Sequence, residues 1–506
     1  MCVEHVEVRP GAYADSVTLM QVSAEVGRSE GVEAALVAMA TELNVGMLPD
    51  MGFAPLASEA PNDLLIAIRA QDAASLAAAL DAVTRGLSAR ARDQDAAGPA
   101  AAPPPRTVSA AARTGGPGLA LISVPGPHAF VASMDALEAG CDVMIFSDNV
   151  PVEQEILLKD AAAERRLLVM GPDCGTAVVG GLGLGFSHTL APGPVGLVAA
   201  SGTGAQQVLC LLDAAGTGVS AALGVGGRDL SAVVGGRSTR AALATLDADP
   251  ATEHILLISK PPAPQVAADL RDYAQSLATP VRFAFLGVGE PDLTTAAEDL
   301  LRAAGRQVPT WPRWPGASTS PGAGTGPGAS TGPGGGALRG LFAGGTLCDE
   351  AMAIASERLG IVRSNIPLKP EWRLDPQARG HMMIDFGEDE FTAGRPHPMI
   401  DQSLRLAALA EAAMDPLTGV ILLDVVLGHA AHPDPASEVA PAITAARDQR
   451  DLPVVVSLIG ARSDPQGLDR QATALQAAGA HVFASNAQAA RFACDLAGGA
   501  GTGSGA

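Results

Sequence analysis

The run Val195 to Leu209, VGLVAASGTGAQQVL, puts small and hydroxyl-bearing residues where an anion could be held. Val195, Leu197 and Val198 read as a buried strand, Ser201-Gly202-Thr203-Gly204 as a tight turn, and Ala205 onward as a helix. Small side chains let backbone N–H groups crowd around a phosphate oxygen, and the helix N-terminus adds partial positive charge. The same residues also read as plain helix caps. Strands followed by small-residue turns recur at Gly171-Pro172-Asp173-Cys174-Gly175, at Gly224-Val225-Gly226-Gly227-Arg228-Asp229 and at Gly428-His429-Ala430-Ala431-His432. His429 and His432 are too few for a metal centre, which usually has three or more ligands. They are candidates for hydrogen bonding or proton transfer, with loop packing as the alternative. Asp385 to Glu390 is an acidic stretch that fits either Mg²⁺ or a solvated loop. Cys174, in a small-residue turn, reads as a structural thiol, and His397, in GRPHPMID, as part of a rigid loop at a domain junction.

The elements around these turns are those of an α/β protein. The chain has 506 residues, 47% hydrophobic and 3% aromatic, rich in Ala, Val, Leu and Gly, which suits helices packed on parallel sheets. The expected architecture is several doubly wound Rossmann- or flavodoxin-like domains with parallel sheets, plus a small N-terminal α+β domain. Residues 12–90 are expected to form the small domain, a ferredoxin-like or regulatory-type sandwich that shows no catalytic constellation and for which an assembly role is expected. Its expected strands are Ser16–Met20 and Asp63–Ile68, and its helices span Val32 to Leu43 and Ala73 to Val83. Residues 91–106 are a linker by composition. Residues 107–192 alternate strand and helix with strands at Leu119–Val124, Asp142–Phe146 and Leu167–Met170; the continuous apolar runs suit strands buried on both faces. The first turn, Ser123-Val124-Pro125-Gly126, departs from GxGxxG and argues against a dinucleotide site. Residues 193–308 and 337–497 repeat the pattern, separated by a Pro/Gly/Ser/Thr linker at 309–336. The tail from Gly498 is expected to be disordered.

Composition narrows the partners. A net charge of −21 argues against nucleic acid. The six cysteines form no CxxC pair, so neither a zinc site nor a disulfide framework is suggested. No apolar run is long enough to span a bilayer and no signal peptide opens the sequence, so a reducing cytoplasm is the expected compartment.

Residues 107–306 resemble the α subunit of succinyl-CoA synthetase and its relatives, on Gly171-Pro172-Asp173-Cys174, Val195–Gly204 and Gly224–Gly227 with Asp247 to Glu253. Residues 338–496 resemble the C-terminal ligase domain of the β subunit, on Asp424 to His429 and Pro453–Val456. The ATP-grasp domain that precedes this region in the β subunit is replaced by the linker. A closer resemblance covers nearly the whole chain and is to the FdrA family. It rests on Met144–Pro151, MGPDCGTA, GGRDLS, LISKPP, FAGGTLC, GRPHPMID and HPDPA. The family includes proteins long labelled acyl-CoA synthetases and the large subunit of oxamate carbamoyltransferase, which with partner subunits exchanges carbamoyl between oxalurate and carbamoyl phosphate.

The resemblance also marks departures. The synthetase phosphorylates a histidine in a loop that here reads Gly287-Val288-Gly289-Glu290-Pro291-Asp292, without histidine. The acidic residue that orients that histidine is replaced by Lys260. What carries over is a pair of phosphate cradles, placed at Ser201–Gly204 and Gly428–His432. Direct transfer from an acyl phosphate fits this set, with N–H donors and cations stabilising the oxyanion. Lys260, as a compact cation, would join the cradles on phosphate, and a guanidinium, Arg228 or Arg395, beside Gly226 and Gly227 would hold a carboxylate such as oxamate. The alternative readings are that Lys260 ends a strand at the surface and that Arg228-Asp229 is an internal ion pair. CoA and Mg²⁺ are the candidate cofactors. Other protein subunits and further copies of the chain are the expected partners. A CoA-dependent acyl ligase subunit with a separate ATP-grasp partner, and a non-catalytic scaffold, are the competing readings.

Overall fold

The computed structural model describes residues 2–498 apart from 13, 15, 50, 57–61, 95–104, 317–335, 376–378 and 393–394. The chain divides into two compact units, Met1–Thr114 with Asp389–Asp401, and Gly115–Glu388 with Gln402–Ala506.

The first unit is built on an antiparallel sheet of β1 (Val3–Arg9), β2 (Val32–Met39) and β3 (Leu64–Ala70) in the order β1-β3-β2. Two sequence expectations are reversed here. Ser16–Gly27 is a helix, not a strand: Leu19, Val22 and Val26 recur at helical spacing and are fully buried, a period that five alternating residues at its start conceal. Val32–Met39 is a strand, not a helix. Val37 and Met39 pack under the Ser16 and Ala73 helices, while Leu36 packs on the opposite face with Val45, Leu48 and Phe53. A strand covered on both faces carries apolar residues at adjacent positions and so mimics a helical stripe. The Ala73 helix runs on to Gln94, into the expected linker, whose residues 95–104 lie outside the described residues.

The second unit holds three sheets. β4 (Leu119–Ile122), β5 (Asp142–Ile145) and β6 (Val169–Met170) form a parallel trio in that order. β7 (Thr176–Val179) and β8 (Leu182–Gly185) form an antiparallel hairpin that the sequence reading did not anticipate. With β9 (Pro192–Ala200), β10 (Val219–Gly224), β11 (His254–Ser259) and β12 (Val281–Phe285) it makes a six-stranded sheet ordered β12-β11-β9-β10-β7-β8. The third sheet, ordered β13-β19-β18-β17-β14-β16-β15, comprises β13 (Arg313–Trp314), β14 (Ala337–Phe342), β15 (Val362–Arg363), β16 (His381–Asp385), β17 (Thr418–Val426), β18 (Val454–Ile459) and β19 (His481–Phe483). β18 is buried along its whole length, as a central parallel strand with helices on both faces must be. β13 falls inside the stretch read as linker: Arg313 and Trp314 pair with Phe483 and Val482. The remaining linker, 317–335, and the tail from 499 lie outside the described residues.

Helix starts follow side-chain chemistry. Ser201, Asp292 and Ser485 each accept an N–H from three residues on, at 3.0, 2.7 and 3.1 Å, and so open the helices Gly202–Ala214, Leu293–Ala303 and Asn486–Ala497. Among the described residues no helix is long and apolar enough to cross a membrane.

Candidate functional site

The Gly202 helix leaves the end of β9, and the helix Gly345–Leu359 leaves the end of β14. Their N-termini meet. Ser201 Oγ and Thr346 Oγ1 share a hydrogen bond of 2.7 Å. A Cβ on Gly344 would lie 2.8 Å from Thr203 Cγ2, and one on Gly204 would lie 2.4 Å from Ser201 Oγ, so glycine is what permits the approach. Two helix N-termini with orphan N–H groups in one place give a region of positive potential. Gly202 itself is exposed, at a shallow surface depression lined by Asp173, Thr176, Ser201, Gly202, Gly224 and Gly226.

The turn at Gly344 is fixed from below. Asp424, fully buried on β17, accepts the N–H groups of Ala343 and Gly344 at 2.8 and 2.9 Å and pairs with buried Arg405. Arg405 also donates to Gln402 Oε1 at 2.6 Å.

Lys260, one residue past β11, reaches the Gly345 helix and pairs with Asp349 Oδ2 at 3.0 Å. Burial disfavours its ammonium, but Asp349, with Asp385 and Glu388, outweighs that and holds it above the ordinary lysine value. Burial pushes the Asp349 carboxyl up in spite of Lys260. Asp385, at the end of β16, is 2% exposed, and burial pushes it up to about 7. The loop Gly287–Asp292 docks on the flank of the Gly345 helix, where Gly289 N–H donates to Glu357 Oε1 at 3.0 Å.

Ser201, Gly202, Thr203, Gly204 and Lys260 therefore gather around the Gly345 helix. Gly428, His429 and His432 make their contacts elsewhere. His429 N–H donates to Ser187 O at 2.7 Å, its ring lies 3.3 Å from Thr189 Oγ1, and Gln466 straps the loop through Gly428 and His432 O. His432 is buried, with Nδ1 accepting from Asp434 N–H and Nε2 3.3 Å from Glu438. Beside this loop His188 Nδ1 meets Asp464 Oδ2 at 2.7 Å. Burial raises Asp464, but His188 and the Thr189 and Ala461 amides outweigh it and hold it below the ordinary value. The second helix N-terminus at the cradle is thus that of Gly345, not the Gly428 loop.

Arg228 donates to Val150 O at 2.7 Å and pairs with Glu155 at 2.9 Å, leaving half of its side chain exposed. Asp229 pairs with Lys159 rather than with Arg228, at 2.8 Å. Gly226, at φ +88, lies against Pro172 O, and Gly227 faces Asp173. Arg395 and His397 belong to the first unit. Cys174 is buried and pushed up to about 12, which leaves an inert thiol. Among the described residues no group of three or more His, Cys, Asp or Glu is arranged to hold a metal ion.

Sequence reading missed Thr346, Asp349 and Arg405; it took Asp385 as the start of an acidic stretch for Mg²⁺ or solvent, whereas Asp385 is buried, and Asp424 only as the start of a stretch that carries the resemblance. A signal existed for the first: Ala343-Gly344-Gly345-Thr346 after an apolar strand repeats the pattern of Ala200-Ser201-Gly202-Thr203. Asp349 and Arg405 are single residues without a motif.

Comparison with known proteins places this geometry in a family. Residues 341–496 match the CoA-ligase family, and residues 1–103 match the heavy metal-associated domain of AllF. Uncharacterized protein YahF of Escherichia coli is 38% identical over 496 residues, covering 95% of this chain and 96% of YahF. Malate–CoA ligase subunit alpha of Methylorubrum extorquens is 30% identical over 32% of this chain and 56% of that subunit. Succinate–CoA ligase subunit alpha of Aquifex aeolicus is 31% identical over 30% of this chain and 51% of that subunit. The match to these ligase subunits thus spans about half of their length, whereas the match to YahF runs end to end. The chain belongs to the FdrA family of succinyl-CoA synthetase-like proteins, together with YahF.

Proposed function

We propose that this chain is the FdrA-type subunit of an oxamate carbamoyltransferase, acting with partner subunits to convert oxalurate and phosphate into oxamate and carbamoyl phosphate. The observation that carries this reading is the meeting of the Gly202 and Gly345 helix N-termini beside Lys260, with a histidine-free loop at Gly287–Asp292. Orphan N–H groups and one ammonium suit the phosphate of an acyl phosphate and the oxyanion formed when its carbonyl is attacked. With no histidine in that loop, phosphate has no phosphohistidine to form there, which favours direct transfer. The AllF-type N-terminal domain agrees with a place in allantoin-linked nitrogen recovery.

The second reading is an acid–CoA ligase subunit with a separate ATP-grasp partner, and the CoA-ligase family match at 341–496 favours it. Against it stands the turn Ser123-Val124-Pro125-Gly126 after β4, which departs from GxGxxG. Calorimetric titration of the full chain with carbamoyl phosphate, phosphate and CoA separates the readings. Binding of carbamoyl phosphate and phosphate without CoA supports the transferase, and CoA binding alone supports the ligase. Recruitment of partner subunits with no small-molecule binding means a scaffold. Lys260→Ala is expected to weaken phosphate binding at least tenfold and to lower kcat/KM by roughly a hundredfold or more, with the thermal transition unchanged.

A further inference from the structure

Residues 1–103 match a domain described as heavy metal-associated, yet they carry almost none of the groups that hold such metals. Copper and zinc are held chiefly by thiolate and imidazole groups, usually three or four to an ion. Residues 1–103 contain one cysteine, Cys2, and one histidine, His5, and no CxxC pair.

The two cannot share an ion. In the sheet His5 stands opposite Ile68, and Val6 opposite Ala67. Ile68 packs under the Ser16 and Ala73 helices, whereas Ala67 packs with Val6, Val8 and Phe53 on the other face. Side chains alternate along a strand, so His5 and Glu7 lie on the helix-covered face and Glu4 on the opposite one. Cys2 is the residue before β1, and the same alternation sets it on the Glu4 side.

Both groups are also engaged. Cys2 donates its S–H to Glu33 Oε2 at 3.2 Å, a bond that a metal-binding thiolate could not make. The His5 ring lies 3.3 Å from Glu7 Oε2, and Glu7 in turn accepts from Arg9 Nε at 3.0 Å. On the Cys2 side, Glu4 pairs with Arg69 at 2.8 Å, and that guanidinium lies 4.7 Å over the Phe53 ring. A metal ion there would meet an arginine.

Nor does the fold need an ion. A structural metal makes up for a core that is too small, and this sheet is packed on both faces. Leu19, Val22, Val26 and Val83 on one side, and Leu48 and Phe53 on the other, are at most 3% exposed. The unit also takes in Asp389–Asp401 of its own chain, where Arg28 donates to Ile400 O at 3.4 Å.

We propose that this N-terminal domain is metal-independent: Cys2 and His5 ligate no copper or zinc, and apolar packing on both faces of the sheet holds the domain together instead.

The test uses the full reduced chain, as wild type and as the double variant Cys2→Ser with His5→Gln. Each is equilibrated anaerobically with Cu(I) or Zn(II) and passed through a desalting column, and its metal content is measured. Equal content in the two proteins is expected, because any ion that both retain is held by groups outside residues 1–103. Cys2 supplies a second readout, since it is exposed and the other five cysteines are buried. Its alkylation rate is expected to change by less than about twofold when either metal is added, whereas ligation would slow it roughly tenfold or more. That readout needs no variant, so a loss of stability in the double variant does not remove it. An ion that wild type retains and the double variant loses while still folded, or protection of Cys2 by either metal, overturns the proposal.

Discussion

At the scale of single residues, the cradle depends on atoms that are absent as much as on those present. Gly204 and Gly344 have no side chain, so Ser201 Oγ, Thr203 and Thr346 can come into contact across two helix starts. Ser201 has two tasks, capping its own helix and bonding Thr346, and these can be separated by measurement. Ser201→Ala is expected to cost about 1 kcal/mol for the lost cap. Thr346→Val, which removes the hydroxyl and keeps the shape, should cost less. Because they share one hydrogen bond, a double-mutant cycle in chemical denaturation should give a coupling of roughly 0.5 kcal/mol or more rather than simple addition. Additive effects would mean that the two helix starts are held together by packing alone.

At the scale of elements, buried ionisable groups join the helices of the second unit. Lys159, with its side chain 1% exposed, donates to Glu155 at 2.7 Å, Asp229 at 2.8 Å and Val225 O at 3.1 Å, and Asp229 also accepts the Ser238 and Thr239 N–H groups at the start of the next helix. Lys159→Met leaves buried Asp229 without its cation and Glu155 with Arg228 alone, and is expected to cost about 3–5 kcal/mol, read as a shift of the urea midpoint. Glu350, on the Gly345 helix, accepts from Leu293 N–H at 2.6 Å and Asn486 Nδ2 at 2.7 Å, and burial together with Asp292 pushes it up to about 7. The folded protein then keeps a proton on Glu350 between 4.5 and about 7 that the unfolded chain has released. Stability contributed by this group is present below that window and declines as pH rises through it. Glu350→Gln should flatten the dependence of Tm on pH between 5 and 8, and an unchanged slope would show that Glu350 ionises normally.

At the scale of the whole molecule, the seven-stranded sheet constrains the chain around its interruption. β13 and β14 flank residues 317–335, yet in the sheet they are separated by β19, β18 and β17. Four strand spacings amount to about 19 Å, which about six residues of extended chain can cover. Removing ten residues within 317–335 is therefore expected to leave Tm within about 2 °C of the full chain, since loop length enters stability only logarithmically. A larger drop would mean that this segment packs on the rest of the protein.

The α/β class, most parallel strands and the turn at Ser201–Gly204 could be read from the residues in order. They depend on local facts: continuous apolar runs for strands buried on both faces, and small residues where a strand turns into a helix. The N-terminal domain was misread where locality fails, because Val32–Met39 is covered on both faces and Ser16–Met20 is too short to show its period. Tertiary structure alone decided what faces the Gly202 helix. Thr346 is 145 residues from Ser201, and Lys260 follows a strand of one sheet while Asp385 ends a strand of another. No spacing along the chain encodes their meeting. It arises because two separate sheets each end a strand in a glycine-rich turn, and packing brings those two helix starts together.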